Sequence, residues 1–298
     1  VLIHFLSSRF IPSFILHPLL PLARFLTFIR FSHTVFALPF ALGAMVVAAD
    51  GFPGWRIFGL ILLCMVFART AAMTFNRVAD WEIDKRNPRT AGRHKLIGKA
   101  AAIATCLVSA LLFIASAAFI NRICLLLSPV ALALVFLYSL TKRFTHAAQF
   151  FLGLALSAAP VGAWLAVTGS FAWPPIILAA GVLCWVAGFD MIYATQDEEA
   201  DRREGLRSMV VWLGVPGALR LAGLLHLLML IGLIAFGLSA HLGKIYFAGL
   251  LPVPFLLLYE HRIARSLDLA LINKAFFETN ALIGALFVAV TAADRLLR

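Results

Sequence analysis

The sequence predicts an all-α membrane protein built as a bundle of nine transmembrane helices. Three observations carry that expectation. The 298 residues are 62% hydrophobic and 13% charged, and the mean hydropathy is +0.97, a composition foreign to soluble domains of this size. Apolar stretches of roughly twenty residues, the length of a helix that crosses a bilayer, recur along the chain. Lys and Arg are also distributed unevenly between alternate connections, as the positive-inside bias of membrane proteins requires.

Taken in order, residues 1–24 are apolar but interrupted by Pro12, Pro18 and Pro21, with no small-residue cleavage site. They are expected to form an interfacial or disordered leader, and 25–298 the membrane domain. Spans are expected at 25–49, 56–79, 98–119, 122–141, 147–168, 174–196, 216–238, 243–260 and 276–294. Gly51, Pro53 and Gly54 separate the first two, and the run from Gly169 to Pro175 separates the fifth from the sixth.

The net charge is +11, from 25 Lys and Arg against 14 Asp and Glu. In this apolar context the excess reports loop asymmetry rather than nucleic-acid binding. Only Arg56, Arg122, Lys244, Arg295 and Arg298 fall on one set of connections, and the remaining basic residues cluster on the other. That places the N-terminus in the cytoplasm and the C-terminus outside. Trp55 and Trp173 then mark the outer boundary, and Trp81 and Trp212 the inner one. Cys64, Cys106, Cys124 and Cys184 lie in apolar segments without a paired motif and read as small core residues.

The acidic residues break the pattern of a passive bundle, because all but Asp50 and Asp294 share the basic, cytoplasmic side. Asn76, Asp80 and Asp84 repeat every four residues at the end of the second span, and Arg69 falls on the same stripe. Alone, this ladder reads equally well as a solvated helix end with intrahelical ion pairs. A second ladder, Asp190, Asp197 and Asp201, closes the sixth span, and Asp190 lies inside the apolar run, where an ionisable group is costly. The two spans run in the same direction, so both ladders end at one depth. Oxygen-rich faces of this kind suit a hard divalent cation, Mg²⁺ above all, holding phosphate oxygens. Tyr138 and Lys142, four residues apart, and Arg143 end the fourth span at that level. Singly the two cations are membrane anchors; beside a metal–phosphate site they are candidates to neutralise a departing diphosphate.

These motifs resemble the UbiA superfamily of intramembrane aromatic prenyltransferases, in particular bacterial 4-hydroxybenzoate polyprenyltransferases. The family's N-x3-D-x3-D motif corresponds to Asn76, Asp80 and Asp84. Its D-x2-Y-A-x2-D-x3-D motif corresponds to Asp190, Tyr193, Ala194, Asp197 and Asp201. The Y-x3-K element is Tyr138 and Lys142, and GLRSM, residues 205–209, resembles a further family stretch. Three departures stand out: Arg77 follows the first-motif Asn, HKLIG at 94–98 replaces a proline-rich stretch, and RFSHT at 30–34 replaces R-x-D-K-P. They fit a UbiA-like branch acting on menaquinone precursors.

The resemblance implies transfer of a polyprenyl chain from an allylic polyprenyl diphosphate to an aromatic acid, 4-hydroxybenzoate or alternatively a menaquinone precursor, in quinone biosynthesis. Mg²⁺ would be held by Asn76, Asp80, Asp84, Asp190, Asp197 and Asp201. Lys142, Arg69 and Arg143, with Tyr138, would face the diphosphate. Arg30 would pair with the acceptor carboxylate, and Tyr193 would face the allylic cation. Two other classes compete. An ion-coupled transporter would place its acids near the bilayer midplane. A CDP-alcohol phosphotransferase needs glycine where Val78 stands.

Overall fold

The computed structural model describes residues 24–30, 34, 36–86, 90, 92, 96–266 and 268–297. Residues 1–23 of the expected leader, Phe31, Ser32 and His33 of the RFSHT stretch, and Arg89, Arg93, His94, Lys95 and Arg298 lie outside the described residues.

Among the described residues the chain is helical and has no strand. A short helical turn at 24–28 precedes α1 (Leu38–Ala48), α2 (Trp55–Ala79), α3 (Trp81–Arg86), α4 (Lys99–Ile120), α5 (Arg122–Thr141) and α6 (Ala148–Thr168). Then come α7 (Trp173–Ala194), a 3₁₀ turn (Thr195–Asp197), α8 (Glu198–Arg203), α9 (Met209–Ser239), α10 (Lys244–Gly249), α11 (Pro252–Ala264) and α12 (Leu269–Leu296).

Among the described residues, seven helices are long and apolar enough to cross a bilayer: α2, α4, α5, α6, α7 with α8, α9 and α12. The first and eighth expected spans are not single long helices. The first contains the 11-residue α1, about 17 Å long. The eighth is divided into α10 and α11, where Pro252 and Pro254 deny backbone donors to a continuous helix. The seventh begins earlier than expected, at Met209, and is broken at Gly214, whose φ of 67° and ψ of 166° suit only glycine, just before Pro216.

Local chemistry accounts for the ends. The Asn121 side chain accepts from the Cys124 amide at 2.9 Å at the start of α5, and Ser208 caps α9 through the Val211 amide. Asp294 of α12 is buried and accepts from the amides of Gly243 (2.8 Å) and Tyr246 (3.3 Å), fixing the start of α10.

Helix α7 is the central post, packed between α6 and α9. It approaches α9 closely because Gly181 faces Gly232, where an added Cβ would meet the Gly181 Cα at 2.9 Å. Trp185, Phe189 and Tyr193, four residues apart on α7, form an aromatic stripe. Trp185 packs on Phe40 of α1 and on Phe189, at centroid separations of 4.9 Å. Phe189 meets Phe276 of α12, which in turn lies 4.6 Å from Tyr193. This core leads directly to the polar end of the bundle. Trp55 and Trp173 are 79% and 77% exposed, as an interfacial aromatic belt demands.

Candidate active site

Both acidic ladders depart from straight-helix geometry. Helix α2 ends at Ala79 and Asp80 is its C-cap, with φ −95° and ψ 16°. The turn nevertheless keeps the four-residue spacing, since the Asp80 amide bonds the Asn76 carbonyl and the Asp84 amide bonds that of Asp80. In the second ladder, Thr195–Asp197 forms a 3₁₀ turn. A 3₁₀ turn advances 120° per residue rather than 100°, so three residues rotate the helix beyond them by about 60°. Asp197, at the end of that turn, and Asp201 beyond it are therefore rotated by up to that angle from the positions a single continuous helix would give them.

The fold brings the ladders to one cavity of about 280 Å³, and every site residue expected from the sequence lines it. Asn76, Asp80 and Asp84 enter from α2 and α3, Tyr138, Lys142 and Arg143 from the end of α5, and Asp190, Tyr193, Asp197 and Asp201 from α7 and α8. Arg30 and Arg69 complete the wall with Phe36, Phe189 and Phe276.

Adjacent cations join the two ladders. Lys142 Nζ lies 2.9 Å from Asp201 Oδ2, and Arg143 Nη2 lies 3.3 Å from Asp80 Oδ1 while donating to the Ala79 carbonyl at 2.6 Å. Burial works against the Lys142 ammonium, but Asp201, together with Asp190 and Asp197, outweighs it and raises its pKa above the ordinary lysine value. Burial raises the Asp80 carboxyl; the hydrogen bond from Arg143 opposes that shift and the Asp84 charge adds to it. The Asn76 amide nitrogen donates to Asp80 Oδ2 at 3.2 Å, and its oxygen accepts from Arg77 at 3.4 Å. Arg30 has a left-handed backbone, φ 48°, rare outside glycine. Its guanidinium donates to the Tyr193 hydroxyl at 3.4 Å, and its carbonyl accepts from Arg69 at 3.3 Å.

A second cavity of about 460 Å³ adjoins the first and is lined mainly by apolar side chains of α2, α4, α5 and α6. Arg69, Met73, Tyr138, Leu152 and Leu156 line both, so Arg69 and Tyr138 stand at the neck. Val130, Leu154 and Phe171 line the apolar cavity and are also 54%, 39% and 60% exposed, which marks its opening toward lipid.

Sequence reasoning misses the aromatic wall, because Phe36, Phe189 and Phe276 resemble any other core phenylalanine. It marks Arg77 only as a departure from a motif. The signal is a charged residue in the last turn of an apolar helix.

Among the described residues, no three His, Cys, Asp or Glu side chains converge as a preassembled metal cluster. The carboxylates are instead spread around one cavity, with Asp80, Asp84 and Asp201 paired to Arg143, Arg77 and Lys142. Mg²⁺ needs only one or two carboxylates, with water and phosphate oxygens filling the remaining positions. The donor set fits such an ion.

Residues 37–285 match the UbiA prenyltransferase family. The chain is 34% identical over 258 residues to a 4-hydroxybenzoate octaprenyltransferase of Nitrosospira multiformis, covering 85% of this chain and 87% of that one. It superposes with a TM-score of 0.79 on the apo structure of a UbiA homolog from Aeropyrum pernix K1, at 29% identity, over 88% of this chain and 98% of that one. A UbiA homolog from Archaeoglobus fulgidus, solved bound to GPP and Mg²⁺, shares the fold at 22% identity, with a TM-score of 0.71 over 92% of this chain and 99% of that one. With its two acidic ladders at one cavity of an apolar helical bundle, this chain belongs to the UbiA prenyltransferase family and is an integral membrane enzyme of prenyl transfer.

Proposed function

We propose that residues 25–298 transfer a polyprenyl chain from an allylic polyprenyl diphosphate to an aromatic acid, 4-hydroxybenzoate in the first instance, in quinone biosynthesis. The observation that carries this reading is the pair of joined cavities. One holds carboxylates and cations suited to a diphosphate, and the other is apolar, open to lipid and suited to an isoprenoid tail. The acceptor is inferred from the name of the Nitrosospira relative. A menaquinone precursor is the alternative that the RFSHT departure favours. The clustering of acids at one end of the bundle argues against a midplane transport site.

Asp80, Asp84, Asp190, Asp197 and Asp201, with Asn76, would hold Mg²⁺, as the metal in the Archaeoglobus homolog suggests. When bound, Mg²⁺ would screen the diphosphate charge and make it a better leaving group. Lys142, Arg143 and Arg69 would stabilise the same oxygens as the allylic C–O bond breaks and its electron pair leaves with diphosphate. The apolar cavity excludes water from the allylic cation, and the Tyr193 ring offers that cation a π face. Arg30 would hold the acceptor carboxylate while a ring carbon forms the new C–C bond and then loses its proton. A nine-span reading, with α1 and the preceding turn as one span and α10 with α11 as another, would put this cavity on the cytoplasmic side of a bacterial inner membrane, with the N-terminus inside and the C-terminus outside; the unequal distribution of Lys and Arg supports it.

The test is an assay in reconstituted vesicles offering several aromatic acids and allylic diphosphates, with products identified by mass. Prenylated 4-hydroxybenzoate should form, stop on chelation and return with Mg²⁺. Asp80→Asn and Asp197→Asn should lower turnover by about a hundredfold or more. Asp50→Asn is the control, because Asp50 is 81% exposed in a surface pair with Arg295. Normal turnover in the first two variants, or indifference to the chelator, would overturn the reading.

A further inference from the structure

Arg77 differs from the other basic residues at this end of the bundle. A membrane anchor extends its charge into water, as Arg86 does with a side chain 64% exposed. Arg77 is turned inward and its side chain is only 5% exposed. A buried guanidinium is costly unless partners hold it, and those of Arg77 come from its own helix and from two other segments. Its Nε donates to the Phe28 carbonyl at 3.5 Å, in the turn before α1. Its Nη1 donates to Asn76 Oδ1 at 3.4 Å and lies 3.7 Å from Asp84 Oδ2 of α3. Asp84 is itself tied through its carbonyl to the Thr90 hydroxyl at 3.0 Å.

The partners lead to different parts of the cavity. Asn76 donates onward to Asp80. Phe28 stands two residues before Arg30, whose guanidinium meets Tyr193. One planar fork therefore spans the carboxylate face and the turn that presents Arg30. A fixed positive charge beside Asp84 also competes with any added cation for the carboxylate oxygens and repels it.

We propose that Arg77 is a positioning residue: it acts as an internal counter-charge that restrains Asp84, and through Phe28 it braces the turn that presents Arg30. The inference rests on the prenyl-transfer reading for the role of Arg30. It assigns Arg77 two effects of opposite sign, since the restraint weakens divalent binding in the absence of diphosphate and the brace strengthens acceptor binding. A lysine supplies the charge but not a fork that reaches three partners.

The experiment uses the full chain in lipid nanodiscs, as wild type, Arg77→Met and Arg77→Lys. Divalent binding is read without substrate by Mn²⁺ titration monitored by electron paramagnetic resonance. Steady-state constants are read separately for the aromatic acid and the diphosphate. Arg77→Met should bind Mn²⁺ about tenfold more tightly, because a repelling charge is gone. Its KM for the aromatic acid should rise about tenfold, the usual scale for losing an orienting contact. Arg77→Lys should bind Mn²⁺ as the wild type does and still show the raised acceptor KM. Weaker Mn²⁺ binding in Arg77→Met, or an acceptor KM unchanged from wild type, would overturn the proposal and leave Arg77 a packing residue. Failure of the prenyl-transfer reading has a separate signature: a wild type that binds Mn²⁺ and makes no prenylated product in any substrate combination.

Discussion

Lys142 Nζ lies 2.9 Å from Asp201 Oδ2, joining the end of α5 to α8 across 59 residues of sequence. The next residue, Arg143, reaches Asp80 on the other ladder, so two consecutive cations hold the two acidic faces at one cavity. A half-buried lysine between carboxylates is well placed to pass its charge to an arriving diphosphate.

Lys142→Met should therefore lower kcat by about a hundredfold, the scale of losing one preorganised electrostatic stabiliser. Lys142→Arg should recover only part of the loss, since a planar fork does not reproduce a compact ammonium. Single-turnover measurements with saturating diphosphate check both. Turnover of Lys142→Met within a factor of about three of wild type would exclude a direct role for this lysine.

Arg30 and Tyr193 meet at 3.4 Å on the opposite wall. If Arg30 receives the acceptor carboxylate, Arg30→Ala should raise the KM for the aromatic acid well above any change in that for the diphosphate, the kinetic form of lost ground-state binding. An unchanged acceptor KM would remove Arg30 from the acceptor site.

Gly162 lines the apolar cavity, and a Cβ added there meets nothing within 4 Å. Gly162→Phe should fold normally and narrow the tail path. It should lower kcat/KM for long polyprenyl diphosphates about tenfold more than for dimethylallyl diphosphate, since a bulky ring in a packed tail path costs ~1–3 kcal/mol. Equal losses across chain lengths would show that the tail takes another route.

The topology is open to a direct check. A reporter fused after Arg298 should be found outside and one inserted near Arg93 inside, by protease accessibility or enzymatic reporter activity. Both reporters on one side would contradict the nine-span arrangement and the orientation of the cavity.

The sequence by itself determined the class of the protein and the membership of its polar site. Apolar run length is read by a bilayer one helix at a time, so α2, α4, α5, α6, α7, α9 and α12 are legible without tertiary information. An ionisable residue inside an apolar run is rare enough to identify itself, which is why Asp190 stands out in the chain alone, whereas Asp80 and Lys142 gain meaning only beside it. The features that the sequence could not determine depend on breaks and on partners from distant segments. Proline and a 3₁₀ turn can be suspected locally, but whether α10 and α11 divide, or by how much Asp197 rotates, depends on the neighbours that satisfy the freed backbone groups. The pairing of Lys142 with Asp201, the inward turn of Arg77 and the aromatic wall formed by Phe189 and Phe276 are products of packing between helices far apart in the chain. Only the tertiary structure decided them, because a side chain's partner across a bundle is set by the crossing of two helices and leaves no periodicity in either sequence.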